Sequence, residues 1–254
     1  MSRVLLLGGT SESRWISKML LTQSMEVVGS VTTPSARGLF VPGVKKVFVG
    51  NFTDKSLEEF IKTNAVETVL DATHPFAVKI SKTAMRVCRG IGIFYVRYER
   101  PRFQGDFSFV PSLESVAEVW SKRPGNALVA TGAKKVQPFL RPELQGRVFF
   151  RLLKTEFGRT AVKQVGLARE QIWWDDPNPS AASVREFLSA HQIRCAVIKD
   201  SGPQGIALTL AEICPAMGIR LYVLQRPKIQ YPLICSSPQE LEGIFAERLS
   251  EKVR

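Results

Sequence analysis

Short apolar runs alternate with amphipathic helical stretches along this chain, and that alternation constrains the fold more than any other feature. Val4–Leu7 is an uninterrupted aliphatic run, typical of a strand covered on both faces, and a helical stretch follows from about Ser13 to Leu21. Strands and helices at this spacing predict a parallel sheet with helices on both sides. The first half then contains predicted strands at Glu26–Val31, Lys46–Val49, Glu67–Asp71 and Ile93–Tyr98, and predicted helices at Thr53–Asn64 and Ala77–Arg89.

The segment from Arg100 to Pro111 interrupts the alternation with two prolines, a glycine and no periodicity. We place a crossing between domains there and predict an α/β protein of two Rossmann-like domains, residues 1–100 and 101–254. Their parallel sheets are flanked by helices, and the active site is expected in the cleft between them. The second half contains predicted strands at Ala127–Ala130, Val148–Leu153, Ile172–Trp174, Cys195–Lys199 and Arg220–Leu224, a helix at Ala181–Ala190, and a last helix capped by Ser237 with Glu240.

The composition of the 254 residues is that of a folded globular protein, with 44% hydrophobic and 23% charged residues. No apolar stretch approaches the roughly 20 residues of a membrane-spanning helix, so we predict a cytoplasmic protein with no membrane association. The four cysteines form no CxxC pair and accompany only two histidines, which predicts free buried thiols and no metal site.

The net charge of +12 favours anionic ligands, because such a field raises their local concentration in a cleft. The charge alone fits nucleic acid, anionic lipid and a polycarboxylate metabolite equally. The basic residues are scattered, without a zinc finger, an aromatic RNA-binding motif or a basic block, and this arrangement argues against nucleic acid.

The first strand–turn–helix is the natural phosphate site, because glycines allow close backbone approach and the helix directs free N–H groups at the ligand. The turn GGTSES is not the GxGxxG fingerprint, so an ordinary strand-to-helix turn is the alternative. The candidate cofactor-binding residues of this turn are Gly8, Gly9, Thr10, Ser11 and Glu12.

The second strand is followed by hydroxyls and an arginine where an NAD-specific fold carries an acidic residue. No carboxylate occurs between Glu26 and Asp54, whereas Thr32, Thr33 and Arg37 are suited to a 2′-phosphate. This pattern favours NADPH and leaves NADH possible, with Arg37 as a solvated loop residue the alternative.

The heptapeptide DATHPFA, residues 71–77, follows the fourth strand at the edge where ligands bind in open α/β sheets. Pro75 forces the preceding residues out of helical geometry, and Phe76 offers a flat apolar face for a nicotinamide or a macrocycle. We assign Thr73, His74, Pro75 and Phe76 to the cofactor site. A structural role for His74 is the alternative.

Five motifs in order give the chain a resemblance to the precorrin-6A reductase family. They are LLLGGT at residue 5, DATHPFA at 71, YERP at 98, Thr131-Gly132, and KDSG at 199. Gln225-Arg226-Pro227 is similar too, so the resemblance covers nearly the whole chain. The chain departs from the family pattern at Trp173–Pro179 and Pro203–Ala207, which puts the substrate-side details in question more than the cofactor side.

The resemblance implies an NADPH-dependent oxidoreductase that reduces a double bond of the precorrin-6A or cobalt-precorrin-6A macrocycle to give precorrin-6B in cobalamin biosynthesis. Any cobalt belongs to the substrate. The first domain then binds the nicotinamide cofactor and the second provides the substrate side, in a monomer or small homo-oligomer. Hydride transfer needs positioning more than covalent help, so His74 and Tyr98 are expected only to supply a proton or polarise the ring.

Arginines and lysines recognise the carboxylates of an anionic tetrapyrrole, and backbone N–H groups cradle them. The candidate substrate-binding residues are Arg97, Arg100, Thr131, Gly132, Lys134, Lys199, Ser201 and Gly202, with Arg102 and Lys135 as further basic candidates.

Two other functions keep the same fold. A nicotinamide-sensing regulatory module without turnover would not need the KDSG element and the arginine cluster. A short-chain dehydrogenase would need a tyrosine with a lysine four residues later, and none of the four tyrosines has one.

Overall fold

A computed structural model describes residues 2–176 and 178–253. The chain forms two compact units, Met1–Pro101 with Pro227–Arg254, and Arg102–Arg226. Each unit is built on its own six-stranded parallel sheet with helices, which confirms the predicted fold class.

The sheet of the first unit has the strand order β12-β5-β4-β1-β2-β3. Its elements are β1 (Arg3–Leu7), α1 (Glu12–Thr22), β2 (Glu26–Val31), β3 (Lys46–Val49), α2 (Asp54–Thr63), β4 (Thr68–Asp71), α3 (Val78–Ile91), β5 (Phe94–Tyr98), β12 (Ile234–Cys235) and α8 (Pro238–Val253).

The aliphatic run of β1 is buried on both faces, as its sequence predicted. Val4 and Leu6 contribute to one core cluster, and Leu5 and Leu7 to the cluster on the other face. Strand β1 pairs with β2 on one side and with β4 on the other, so the strand order reverses at β1. In open α/β sheets, ligands bind at the carboxyl ends of the strands at such a reversal.

The sheet of the second unit has the order β6-β11-β10-β7-β8-β9, so β7 is the central strand here as β1 is in the first unit. Its elements are β6 (Ser108–Val110), α4 (Leu113–Ser121), β7 (Asn126–Val129), β8 (Val148–Leu153), α5 (Glu156–Val165), β9 (Ile172–Asp175), α6 (Ala181–Ala190), β10 (Ile193–Lys199), α7 (Gly205–Ala216) and β11 (Arg220–Leu224).

The sequence predicted a domain boundary between residues 100 and 101, with the C-terminal segment in the second domain. The structure instead places that segment in the first unit. Strand β12 pairs with β5, since Arg97 N–H donates to Leu233 O and Glu99 N–H donates to Cys235 O. Helix α8 packs Leu241 and Phe245 into the same core cluster as β1. The first unit therefore contains the last 28 residues of the chain as well as the first 101. The segment interpreted as a simple crossing also contains β6, which pairs with β11.

Among the described residues, no helix is long and apolar enough to span a membrane. The cysteines Cys88, Cys195, Cys214 and Cys235 are free thiols and buried. Burial raises the pKa of each, to about 12 for Cys88, Cys214 and Cys235.

Candidate functional site

The glycine turn after β1 and the DATHPFA segment after β4 lie side by side at the carboxyl edge of the first sheet. The strand register places Leu7 opposite both Ser30 and Asp71. Thr10 Oγ1 donates a buried hydrogen bond to Ala72 O at 2.9 Å, which joins the two segments. Thr10 is thereby a connection between the turns as well as a predicted cofactor residue.

The glycine turn has a shape that larger residues do not allow. A Cβ atom on Gly8 would lie 2.6 Å from Ser13 Oγ and 2.8 Å from Phe40 Cζ, and Gly9 has φ +101°. The space outside Gly9 is open among the described residues, because none of their atoms lies within 4 Å of a Cβ built there. Helix α1 begins directly after this turn, and Ser11 makes no side-chain cap to it. The turn therefore fits a phosphate group, which would bind to backbone N–H groups at the positive end of the helix dipole.

Two predicted ligand residues instead form an ion pair with each other. Glu12, the first residue of α1, is 3% exposed, and Arg100 is 9% exposed. Arg100 Nη2 lies 2.6 Å from Glu12 Oε2. Ser11 Oγ donates to the same oxygen at 3.1 Å. The sequence assigned Glu12 to the cofactor and Arg100 to the substrate, whereas the structure satisfies both within the first unit.

The carboxylate of Asp71 holds the DATHPFA turn in place by hydrogen bonds. Oδ1 of Asp71 accepts hydrogen bonds from Thr73 N at 3.0 Å and Thr73 Oγ1 at 2.7 Å, and Oδ2 accepts one from Tyr95 OH at 2.7 Å. Arg97 Nη1 donates to Asp71 Oδ1 at 2.7 Å, while Arg97 Nε donates to Glu99 at 2.8 Å. These bonds fix the backbone from residue 71 to residue 73 before His74.

The side chain of Arg97 lies in the interior, 1% exposed, beside an Asp71 that is 0% exposed. The predicted contact between Arg97 and a substrate carboxylate is therefore wrong for this arrangement, because both carboxylate partners of its guanidinium belong to the chain. Burial by itself raises the pKa of Asp71, but the charge of Arg97 and hydrogen bonds from Ser81 and Thr73 outweigh it, and the pKa lies below its ordinary value.

His74 lies partly exposed above this network, and its ring orientation is set locally. Nδ1 of His74 accepts a hydrogen bond from Phe76 N at 3.2 Å. A backbone N–H is only a donor, so the neutral ring carries its proton on Nε2. The ring centroids of His74 and Phe76 are 5.7 Å apart, and Pro75, which separates the two residues in sequence, is buried. Helix α3 begins at Val78, three residues after Pro75, so the predicted helix start at Ala77 is close.

Tyr98 is buried, and its ring contacts Trp15 edge-on at 5.2 Å between centroids. Burial and the nearby carboxylate of Glu12 raise the pKa of Tyr98 above its ordinary value, so the phenol keeps its proton at neutral pH. Its place in the core cluster with Val96 and Leu241 gives the ring a packing role in addition to the predicted proton-donor role.

The residues predicted to bind the 2′-phosphate follow β2 in the sequence and lie at the surface. Thr33 Oγ1 and Ser35 Oγ lie 3.2 Å apart at the start of a short 3₁₀ turn over Pro34–Leu39. Thr32, Thr33 and Arg37 are all exposed. They are therefore accessible to a ligand at the edge of the sheet.

In the second unit, a cavity of about 320 Å³ opens at the carboxyl ends of β7, β8 and β10. Thr131, Gly132 and Lys199 line it, together with Arg151, Thr155 and Gly158 from the β8–α5 connection. Thr131 is 2% exposed, and within residues 2–176 and 178–253 its Oγ1 has no hydrogen-bond partner. A buried hydroxyl without a partner at a cavity wall is suited to a polar ligand group.

Ser201 and Gly202 are not among the described residues that line this cavity. Ser201 and Gly202 follow β10, where Ser201 N–H donates to Lys199 O at 2.7 Å and Gly202 has φ +86°. The neighbouring Asp200 is 1% exposed and accepts hydrogen bonds from Phe103 N and Arg226 Nη2, so it holds this unit together. The side chain of Lys134 lies outside the described part of the chain. Arg102 and Lys135 are exposed.

Asp71, Ser13 and Phe40 also shape the site, although the sequence predicted no such role for them. Asp71 ends a buried strand, and a carboxylate at that place indicates a buried partner. The contact of Phe40 with Gly8 connects positions 32 residues apart, and no local pattern predicts it. No cluster of three metal-ligating side chains occurs in the described part of the chain.

Two doubly wound parallel sheets, with a glycine turn and a His-bearing turn together at the edge of the first, define a Rossmann-like α/β protein. The family model described as precorrin-6x reductase CbiJ/CobK matches residues 3–245. The chain belongs to this family of reductases, as its motifs predicted. It is thus an oxidoreductase of cobalamin biosynthesis, and a reductase of this kind implies a nicotinamide cofactor.

Proteins named cobalt-precorrin-6A reductase and proteins named precorrin-6A reductase are both similar to this chain over almost its full length. A cobalt-precorrin-6A reductase of Priestia megaterium is 29% identical over 244 residues, covering 94% of this chain and 96% of that protein. A precorrin-6A reductase of Rhodobacter capsulatus is 25% identical over 254 residues, covering 97% of each. The solved structure titled CobK precorrin-6A reductase has a TM-score of 0.77 at 22% identity and covers 97% of each chain, so the fold is shared.

Proposed function

We propose that this chain uses NADPH to reduce a double bond of precorrin-6A, or of its cobalt complex, and releases the precorrin-6B-level macrocycle. The observation that carries the proposal is the pair of turns at the carboxyl edge of the first sheet, in a chain of the precorrin-6x reductase family. When bound, NADPH supplies the hydride.

The first unit is proposed to hold the cofactor. The uncapped start of α1 and the open space outside Gly9 support binding of its phosphates, and the exposed Thr32, Thr33 and Arg37 support a preference for the 2′-phosphate. The fixed turn of Thr73 to Phe76 is proposed to border the nicotinamide, with Phe76 as its apolar face.

His74 is proposed to polarise the reacting bond of the macrocycle by a hydrogen bond from its Nε2–H, while the proton that accompanies hydride transfer comes from solvent. Its Nδ1 accepts a hydrogen bond from the backbone N–H of Phe76, so the neutral ring presents Nε2–H as a hydrogen-bond donor.

The second unit is proposed to bind carboxylates of the macrocycle. This role is supported by the cavity that Thr131 shares with Gly132 and Lys199, and by the Thr131 hydroxyl, which has no hydrogen-bond partner among the described residues. Charge-assisted contacts to a polycarboxylate also agree with the net charge of +12. The cytoplasmic location, the state as a monomer or small homo-oligomer and the lack of nucleic-acid binding stay predictions.

The test is an anaerobic incubation of the purified protein with precorrin-6A and, separately, with cobalt-precorrin-6A, each with NADPH and with NADH. We expect oxidation of NADPH coupled to reduction of one macrocycle, followed by absorbance of both molecules. A protein that oxidises neither cofactor with either macrocycle is not the proposed enzyme. Binding of the cofactor without turnover would instead indicate a nicotinamide-sensing module.

A further inference from the structure

The start of α1 carries a charge that conflicts with the proposed binding of phosphate. Glu12 is the first residue of this helix, and its carboxylate is buried within one residue of the glycine turn. A helix N-terminus carries roughly half a positive charge, which stabilises an anion. A carboxylate in the first turn interacts with the same positive end and repels a second anion there.

The repulsion is larger because the carboxylate is buried. Coulomb energies between charges a few ångströms apart rise several-fold when the effective dielectric falls from that of water to that of a protein interior. Without a counter-charge, Glu12 would therefore weaken phosphate binding at the turn from Gly8 to Ser11.

Arg100 supplies that counter-charge from a distant part of the sequence. It lies two residues beyond β5, and its Nη2 is 2.6 Å from Glu12 Oε2, with both side chains almost fully buried. At this distance the positive charge of the guanidinium cancels most of the field of the carboxylate at the turn.

We propose that Arg100 is a positioning residue that neutralises Glu12 and thereby makes the turn from Gly8 to Ser11 competent for the phosphates of the cofactor. This role rests on the proposed binding of NADPH at that turn. It differs from the substrate contact that the sequence predicted for Arg100, because Arg100 acts on the cofactor through Glu12.

The experiment is a fluorescence titration of NADPH into the wild-type chain and four charge variants, without macrocycle. Arg100→Gln should raise the Kd for NADPH about 10-fold, because a buried negative charge then faces the phosphates. Glu12→Gln with Arg100→Gln removes both charges together and should return the Kd to within about 3-fold of wild type. Arg89→Gln, on the exposed face of α3, makes the same change in net charge and should leave the Kd unchanged.

Glu12→Gln alone keeps the cation and loses the anion, so it should bind NADPH at least as tightly as wild type. This variant and the double variant test the proposal even if Arg100→Gln does not fold, since neither leaves a carboxylate buried without its partner. A double variant as weak as Arg100→Gln would show that Arg100 contacts the cofactor directly and would overturn the proposal. So would weaker binding by a folded Glu12→Gln variant.

The wild-type titration separates this proposal from the one on which it rests. If the wild type binds neither NADPH nor NADH, the cofactor assignment itself fails, and the role of Arg100 fails with it. If the wild type binds NADPH but the charges do not compensate each other, only the role of Arg100 is wrong.

Discussion

The ring of Phe40 lies against the backbone of Gly8, so that a Cβ atom at position 8 would be 2.8 Å from Phe40 Cζ. The same ring also lies under Gly29 on the neighbouring strand, where an added Cβ would again be 2.8 Å away. Phe40 is buried and cannot move out of the way without losing its contacts with the core cluster around Leu20.

Gly8→Ala should therefore destabilise the protein by about 1–3 kcal/mol, the usual cost of overpacking. It should also weaken NADPH binding, because the turn must shift away from both Phe40 and Ser13. Urea denaturation and cofactor titration measure the two effects. The matched control is Gly90→Ala in α3, where an added Cβ has open space and should stabilise the helix by up to about 1 kcal/mol. Equal stability of the two variants would contradict the contact with Phe40.

Removal of the Asp71 charge should strongly destabilise the first unit. Asp71→Asn leaves Arg97 buried with Glu99 as its remaining acidic partner, and loss of one member of a buried pair costs about 3–5 kcal/mol. Chemical denaturation provides the measurement. Asp54→Asn, at an exposed pair with Arg86, is the control and should change the free energy of unfolding far less, because solvent screens an exposed pair. Similar losses in both variants would argue against a special role of the buried pair.

The stability of the protein should fall in acid through the same carboxylate. The pKa of Asp71 is lower in the folded protein than in the unfolded chain, where it is about 3.9, so the unfolded state binds the proton more readily. Its contribution is present above about pH 4 and is lost as the pH falls through the lower folded value. We expect a steeper loss of stability below about pH 4 for wild type than for Asp71→Asn. Parallel pH profiles of the two proteins would contradict this assignment.

His74→Ala should lower kcat about 100-fold, within the range for loss of a hydrogen-bond donor that stabilises the transition state, while the Kd for NADPH changes little. Steady-state kinetics at saturating macrocycle measure the first quantity and fluorescence titration the second. His191→Asn changes the other histidine of the chain, which lies against Phe187 in the second unit, and should retain kcat within about 3-fold. A His74→Ala variant within a few-fold of wild type would leave this residue only a packing role.

Thr131→Val should weaken binding of the macrocycle without lowering the stability of the protein. The buried hydroxyl has no partner within the described residues, so its replacement by a methyl group should leave the stability unchanged or raise it by about 1 kcal/mol. The KM for the macrocycle should rise about 10-fold, because a proposed contact to a carboxylate is lost. Thr209→Val in α7 is the control, and its KM should stay at the wild-type value. An unchanged KM for Thr131→Val would remove Thr131 from the substrate site.

Local patterns predicted the elements that are long or regular. The bounds of β2, β3, β8, β11 and α6 are those given by the apolar periodicity. At the last helix, Glu240 N–H donates to Ser237 Oγ as the capping pattern requires, although the Glu240 carboxylate accepts from Ser236 N and not from the cap residue itself.

The tertiary contacts between residues that are distant in sequence could not be predicted from local patterns. Strand β12 has only two residues, which is too short for any periodicity, and it was therefore not separated from the second domain. Arg97 has the residue type of a carboxylate ligand, and the sequence does not reveal that its carboxylate is Asp71, 26 positions earlier. A buried charge and an exposed one look alike until the chain is folded.

The pairing of β12 with β5 also determines when the first unit can complete its folding during translation. The ribosome makes residues 1–101 first, but the outer edge of β5 and the core face covered by α8 receive their partners only when the last 28 residues emerge. The whole second unit is translated in the interval and can fold while the first is still incomplete. A chain that stops after Arg226 would thus possess every residue of both candidate turns and still leave an open sheet edge, which favours aggregation over assembly.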